Sequence, residues 1–437
     1  MSNRDKHGQH AIYWVRNDLR LQDNEIFSRY IKHCSLLIPV YIFDPRFFLP
    51  NQYGFPRTGK FRAKFLYETV RHFQKKLRNA GRGLIVRVGF PEIVIPELAR
   101  KYECVNVYAT KEHAHDEVLI ESEMRNNLGN IRLLLFEQAT LYHPNELPFD
   151  ISRFPDGFNE FKNGVEEKAS VRWPFRVLPK LPPYPLELNS ESMPALDELG
   201  YSEEELQTVD TGIFNGGEGW GLKRLKDYIW DRRLISTYKE TRNQLLGEAY
   251  STKLSPWLAC GALSPRLVYD EVLRFENEAG ANDSTYWLKY ELLWRDFFRF
   301  VTMKYGSSIF KKGGIKNKPM KTADPEELFD RWKEGRTGQP FVDANMHELK
   351  ATGYMSNRGR QIVASYLIHD MRLDWRLGAA WFESMLIDYD VSSNYGNWMY
   401  VAGVGNDQRP FRQFNPVRQA EIYDPRGDYI DKWLPVY

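Results

Sequence analysis

A chain of 437 residues is long enough for two or three separate cores, and its 42% hydrophobic and 27% charged fractions are those of an ordinary globular protein. No apolar run approaches the ~20 residues of a membrane span. The N-terminal stretch MSNRDKHGQHAIYWV lacks the apolar core of a secretory signal, and its few basic residues fit an organelle presequence poorly. A net charge of +2 excludes a globally basic polyanion binder, so any nucleic-acid surface must come from local clustering. Cys34, Cys104 and Cys260 are scattered and lack CxxC spacing. They argue for a reducing compartment, the cytoplasm in the first instance, and against a disulfide framework or zinc site.

Residues 11 to 136 alternate between strand and helix patterns. AIYWV, LLIPVYIF, LIVRVG, VNVYA and IRLLLF are short apolar runs suited to buried parallel strands. RAKFLYETVRHFQKKLRNAG between them is helical and stops at Gly81. The alternation predicts a doubly wound parallel-sheet α/β domain over 1–140. From 141 to 210 the pattern fails, and the Pro-rich RWPFRVLPKLPPYPLELNSESMP predicts a long connector on the surface. From 211 to 437 the expectation is an all-helical domain. LKRLKDYIWDRRL, STYWLKYELLWRDFFRFVTMKY and GRQIVASYLIHDM carry apolar residues at three- and four-residue spacing. Ten of the 12 Trp lie at or after Trp220, which fits an aromatic core or a planar ligand.

Two glycine patterns read as turns. GFPRTGK (54–60) approaches a P-loop, but Phe61 stands where Ser or Thr would bind magnesium, and AGVGNDQ follows no strand. On a helix, Trp287, Glu291, Trp294 and Phe298 share one face with Arg295 beside them. That is either a Glu–Arg pair at the rim of a core or a concave site for a flat ligand. TGYMSNRGRQ gathers Asn357, Arg358, Arg360 and Gln361 near a helix start, which suits an anion or ordinary capping. KKGGIKNKPMK (311–321) puts five Lys on a loop, as solvated charge or phosphate contacts. DYDVSSNYGNWMY (388–400) packs acids, amides and aromatics together without His or Cys, which argues against a metal site.

In order along the chain, YWVRNDLRLQDNE, YSTKLSPWLACGALSPR, ELLWRDFFRF, TGYMSNRGRQIVAS and DYDVSSNYGNWMYVAGVGNDQR resemble the photolyase/cryptochrome family, most of all its DASH branch. The resemblance runs from about Ala11 to Leu434. It implies an N-terminal antenna domain, a helical domain holding FAD, and light-driven repair of cyclobutane pyrimidine dimers by electron transfer from excited reduced flavin. Carried over motif by motif, it puts Tyr238, Ser251, Thr252, Lys253, Leu254 and Ser255 at the FAD phosphates and ribityl chain. Trp287, Arg295, Asn357, Arg360, Asp388, Asp390 and Asn394 fall around the cofactor, with Asp388 the ion-pair partner of Arg360. Asn394 would offer a neutral carbonyl beside flavin N5 and favour the reduced anionic ring.

For the lesion, the resemblance implies contacts from Glu291, Trp294, Arg358, Gln361 and Tyr400, with Glu291, Asn357 and Asn394 catalytic. Gln361 and Tyr400 replace the Met and Trp of duplex-repairing relatives. The more polar pocket therefore favours single-stranded DNA, where less unstacking energy is needed. Trp398 and Trp375 match the inner members of an electron relay whose outer position falls near Met320, where a nearby Tyr could substitute. Glu112 matches the acid that holds a methenyltetrahydrofolate antenna, against the plain reading of a surface Glu at a helix start. His113 and His115, with no third ligand, read as solvated. The expected partner is DNA, the expected state a monomer with no membrane association. The rival expectation is a blue-light photoreceptor that binds FAD and nucleic acid without repair. The retained Glu291, Asn357 and Asn394 favour the enzyme, and a dark flavin oxidoreductase lacks any hydride-donor site.

Overall fold

In the computed structural model the described residues are 9–30, 34–175, 181–185, 192–322, 326–407 and 413–434. Five strands, β1 (Gln9–Val15), β2 (Cys34–Phe43), β3 (Ile85–Val88), β4 (Asn106–Thr110) and β5 (Arg132–Phe136), form one sheet in the order β3-β2-β1-β4-β5. All neighbours are parallel. Helices α1 (Lys60–Asn79), α2 (Pro91–Lys101) and α3 (His115–Leu128) supply the crossovers.

The two-residue period of β1 decides what packs on each face. Ala11, Tyr13 and Val15 share a core with Phe61, Phe65 and Phe73 of α1, whereas Ile12 and Trp14 meet Ile95 of α2 and Ile120 and Met124 of α3. The α1 side is also the side on which the helical half docks, since that core continues through Trp257, Phe297 and Ile387. Helix α1 ends where the sequence predicts. Gly81 takes φ +70°, and its N–H donates to the Arg78 carbonyl.

The connector departs from expectation. It carries α4 (Phe158–Lys168) and α5 (Glu203–Gln207), and Phe154, Phe158, Phe161, Val165, Leu206 and Val209 are buried. These side chains complete the core between the halves, so the segment is more than a surface linker. Residues 176–180 and 186–191 of the Pro-rich stretch lie outside the described residues.

The helical half comprises α6 (Glu218–Lys226), α7 (Tyr238–Thr241), α8 (Ser255–Ala259), α9 (Pro265–Ala279), α10 (Asp283–Tyr305), α11 (Glu326–Lys333), α12 (Pro340–Thr352), α13 (Asn357–Ser365), α14 (Trp375–Met385), α15 (Val391–Ala402), α16 (Pro416–Tyr423) and α17 (Asp428–Trp433). Its junction with the sheet is polar and buried. Asp23 pairs with Arg266 at 2.7 Å, and Arg20 donates to the carbonyls of Gly261 and Gln138 at 2.9 and 3.1 Å. Removing either member of such a buried pair costs about 3–5 kcal/mol. Within the RNDLRLQDNE stretch, Arg20 and Asp23 thus hold the two halves in register, while Arg16 and Asp18 bond within the α/β half. No helix among the described residues is long and apolar enough to cross a membrane.

Candidate functional site

Three adjoining cavities of about 220, 620 and 260 Å³ lie in the helical half, and Asn357 and Ser393 line all three. Two helices start at their walls. Ser356 caps α13 by accepting from the Gly359 N–H at 3.0 Å, and Asp390 caps α15 by accepting from the Ser393 N–H at 2.8 Å. Both N-terminal ends bring partial positive charge to the site.

The innermost wall sets its acids against cationic and hydroxyl donors. Arg360 donates to Asp388 Oδ2 at 2.9 Å, and Ser255 Oγ donates to the same oxygen at 2.6 Å. Arg299 donates to Asp390 Oδ2 at 2.6 Å. Burial works to raise the Asp390 carboxyl, but Arg299, Arg295 and Ser393 outweigh it and hold it at about 2. Asn394 Nδ2 donates to the Ala379 carbonyl at 3.0 Å, and among the described residues no donor reaches its Oδ1. The loop before α8 brings Ser251, Thr252, Lys253, Leu254 and Ser255 into the 260 Å³ cavity with Tyr238. Burial pulls the Lys253 ammonium down to about 8.

The 620 Å³ cavity is the opening. Glu291, Trp294, Arg295, Gln361 and Tyr400 line it, joined by Arg242 and Asn397. Glu291 pairs with Arg242 at 2.8 Å. Burial pushes its carboxyl up and Arg242 pulls it back, leaving it above the usual range. The expected Glu291–Arg295 pair is therefore not formed. Arg295 instead donates to the carbonyls of Ala139, just after β5, and Leu258 of α8 at 2.7 and 3.2 Å. Burial and then Arg299 pull its guanidinium down to about 10. Trp294 stacks face to face on Phe158 at 3.7 Å, so one ring face is already used. Trp287 lines none of these cavities, and Arg242 sits 4.9 Å over its ring. Arg358 also lies outside them, donating to Gln361 and Asn243 at 3.0 and 3.2 Å.

Trp398 lines the 220 Å³ cavity and packs on α14 at Gly378, where a Cβ would collide with its ring. Trp375 is fully buried, with Tyr395 at 6.0 Å, whereas Met320 packs half-buried on the same core. A fourth cavity, about 230 Å³, lies at the carboxyl edge of the sheet against the helical half. Glu112 lines it and is 6% exposed, which removes the surface reading. Asn17 Nδ2 donates to its Oε1 at 3.1 Å. His113 is not simply solvated, because its Nε2 meets Glu137 at 3.0 Å.

Sequence reasoning missed Arg242, Arg299 and Asn397. Arg242 follows Tyr238 by four residues. Arg299 extends the stripe Glu291, Arg295 at the same spacing, so both were within reach of the helical period. Asn397 follows Asn394 by three on α15, one helical turn on.

Comparison with known proteins agrees with this architecture. The model of the FAD binding domain of DNA photolyase matches residues 287–437, and the DNA photolyase model matches 11–183. A chloroplastic/mitochondrial cryptochrome DASH of Oryza sativa subsp. japonica is 45% identical over 449 residues, covering 97% of this chain and 77% of the relative. The crystal structure of the Synechocystis sp. PCC6803 cryptochrome superposes with a TM-score of 0.93 at 45% identity, over 98% of this chain and 88% of that one. The photolyase of Sulfolobus tokodaii, described with two FAD molecules, gives 0.79 at 28% identity, over 98% and 90%. The chain belongs to the photolyase/cryptochrome family, within its DASH cryptochromes, and carries that family's FAD-binding domain.

The residues present fit FAD. Asp388 Oδ1 is buried with no partner among the described residues. Lys253, its charge disfavoured by burial, lines the same cavity with Ser251 and Thr252, as an anion site requires.

Proposed function

We propose that the protein is a light-driven flavoenzyme that repairs cyclobutane pyrimidine dimers, preferentially in single-stranded DNA, as a monomer. The observation that carries this reading is the continuity of the three cavities. The Asp388–Asp390–Asn394 wall opens through Asn357 onto a mouth lined by Glu291, Gln361 and Tyr400. A flat cofactor inside and an extruded dimer at the mouth would then touch.

When bound and reduced, FAD supplies the light-driven electron that splits the dimer. Ser251, Thr252, Lys253, Leu254 and Ser255 hold its phosphates and ribityl chain beside Tyr238, and Arg360 and Asp388 fix the inner wall. Asp390, held low by Arg299 and Arg295, would accept from N–H groups of the flavin ring, and Asn394 would offer it a neutral carbonyl. Glu291, its carboxyl raised, donates to a dimer carbonyl as negative charge develops there. Asn357 spans cofactor and substrate, and Arg358 faces the DNA backbone. Gln361 and Tyr400 make the mouth polar, and Phe158 occupies one face of Trp294. Stacking on a flipped dimer is thereby reduced, which favours a strand already unpaired. Trp398 and Trp375 form the inner electron relay, with Tyr395 next in line. Glu112 holds methenyltetrahydrofolate as antenna in the sheet-edge cavity. Three unpaired cysteines fit a reducing, cytoplasmic setting.

The test is illumination of the flavin-loaded protein with dimer-bearing single- and double-stranded oligonucleotides. Glu291→Ala should lower repair by about 100-fold, the loss typical of one transition-state donor, with FAD retained. A flavin-loaded wild type that repairs neither strand form would identify a photoreceptor instead.

A further inference from the structure

The sheet-edge cavity and the helical cavities share a wall, and Arg299 of α10 stands inside it. Its Nη2 donates to Asp390 at 2.6 Å, and its Nη1 lies 3.7 Å from Glu112 Oε2. Arg299, Asp390 and Glu112 are 9%, 9% and 8% exposed at their side chains. Glu112 comes from the loop after β4 and lines the sheet-edge cavity, whereas Asp390 lines that cavity and two of the helical ones. One buried guanidinium is thus divided between an acid of each half.

The division is uneven and therefore adjustable. The Asp390 arm is a short charge-assisted bond, and the Glu112 arm is a longer ion pair. Glu112 is also held from its other oxygen by Asn17 at 3.1 Å. Any group in the sheet-edge cavity that donates to Glu112 competes with Arg299 for it and leaves more of the guanidinium's charge for Asp390. Arg295, one turn earlier, also faces Asp390 but is tied to two carbonyls, and Asp296 is the remaining acid close to Arg299. A lysine could keep the charge but not the fork that spans two carboxylates.

We propose that Arg299 is a positioning residue that couples the two cavities: the state of Glu112 sets how far Arg299 neutralises Asp390 at the cofactor rim. This rests on the reading that the flavin ring lies against Asp390. Reduction adds negative charge to the ring, so stronger neutralisation of Asp390 raises the flavin midpoint potential and weaker neutralisation lowers it.

The experiment is a photometric redox titration of the FAD-loaded wild type and five variants, the last combining Arg299→Lys with Glu112→Gln. Glu112→Gln should raise the potential and Arg299→Gln should lower it. Glu112→Gln introduced into Arg299→Gln should then change nothing, a non-additivity that marks contact through one shared partner. Arg299→Lys, the safer variant for folding, should keep FAD and a near-native potential yet abolish the response to Glu112→Gln. Equal Glu112→Gln shifts with and without Arg299, or no shift in any FAD-loaded variant, would overturn the coupling and leave the functional reading standing. A wild type that takes up no FAD would remove both.

Discussion

The sheet-edge cavity and the helical cavity arise differently. Strand order reverses between β1 and β4, and in an open parallel sheet that reversal leaves a crevice at the carboxyl ends of the strands. The first cavity therefore follows from topology, and charges pair across the crevice, Arg57 with both Asp116 and Glu383. The helical cavity has no such rule behind it. It exists because residues 238, 251–255, 291–299, 357–361 and 388–400 converge, and each segment brings a helix terminus or a polar stripe. Its acids also divide by environment. Asp390 is pulled down by Arg299 and Arg295, whereas burial pushes Glu291 at the mouth up, so two carboxyls of one site are driven in opposite directions.

The seam between the two cavities is the first place to break this comparison. Gly261 takes φ +68°, and a Cβ there would collide with the Asn17 carbonyl of the α/β half. Gly261→Ala should cost roughly 4 kcal/mol or more, because backbone meets backbone and neither half can yield. Thermal unfolding and soluble yield would register it, and a near-native melting temperature would show the halves to be loosely joined.

Asp388→Asn attacks the helical cavity alone. It leaves Arg360 without its carboxylate, at a cost of about 3–5 kcal/mol, and should release FAD. Retained flavin at wild-type stability would mean that Asp388 is dispensable at the inner wall.

Glu348 separates the two kinds of acid by pH. Burial raises its carboxyl to about 7, although Tyr429 donates to it at 2.6 Å. In the unfolded chain it titrates near 4.5. Between these values the folded protein binds the extra proton. Its contribution is therefore complete below about 4.5 and lost as pH rises through about 7. At one pKa unit per 1.36 kcal/mol, Glu348→Gln should recover roughly 1–3 kcal/mol at pH 8 and flatten the melting temperature between pH 4.5 and 7. An unchanged slope would assign the pH dependence elsewhere.

The smallest effect concerns the mouth. On the proposed role, in which Glu291 would donate only while protonated, repair should fall as pH rises through its raised carboxyl. Arg242→Gln removes the charge that pulls this carboxyl down, and the falling limb should move to higher pH with FAD still bound. A limb that stays put, or moves to lower pH, would show that Glu291 acts only as an anion.

Local pattern in the chain was enough for the five strands and the helices that carry the motifs, and the family resemblance of those motifs, not local pattern, supplied the residue types at the inner wall and the Arg360–Asp388 pair. These are legible because hydrophobic period and capping chemistry act within a few residues, and because the motifs keep their order along the chain. Tertiary structure alone decided the remainder. It gave Glu291 to Arg242 and not to Arg295, buried Glu112, covered one face of Trp294 with Phe158, and drew the connector's aromatics into the core. Each of these partners lies tens of residues or more away in the chain. Which side chains meet at such separations depends on how whole helices pack, and no local pattern encodes that.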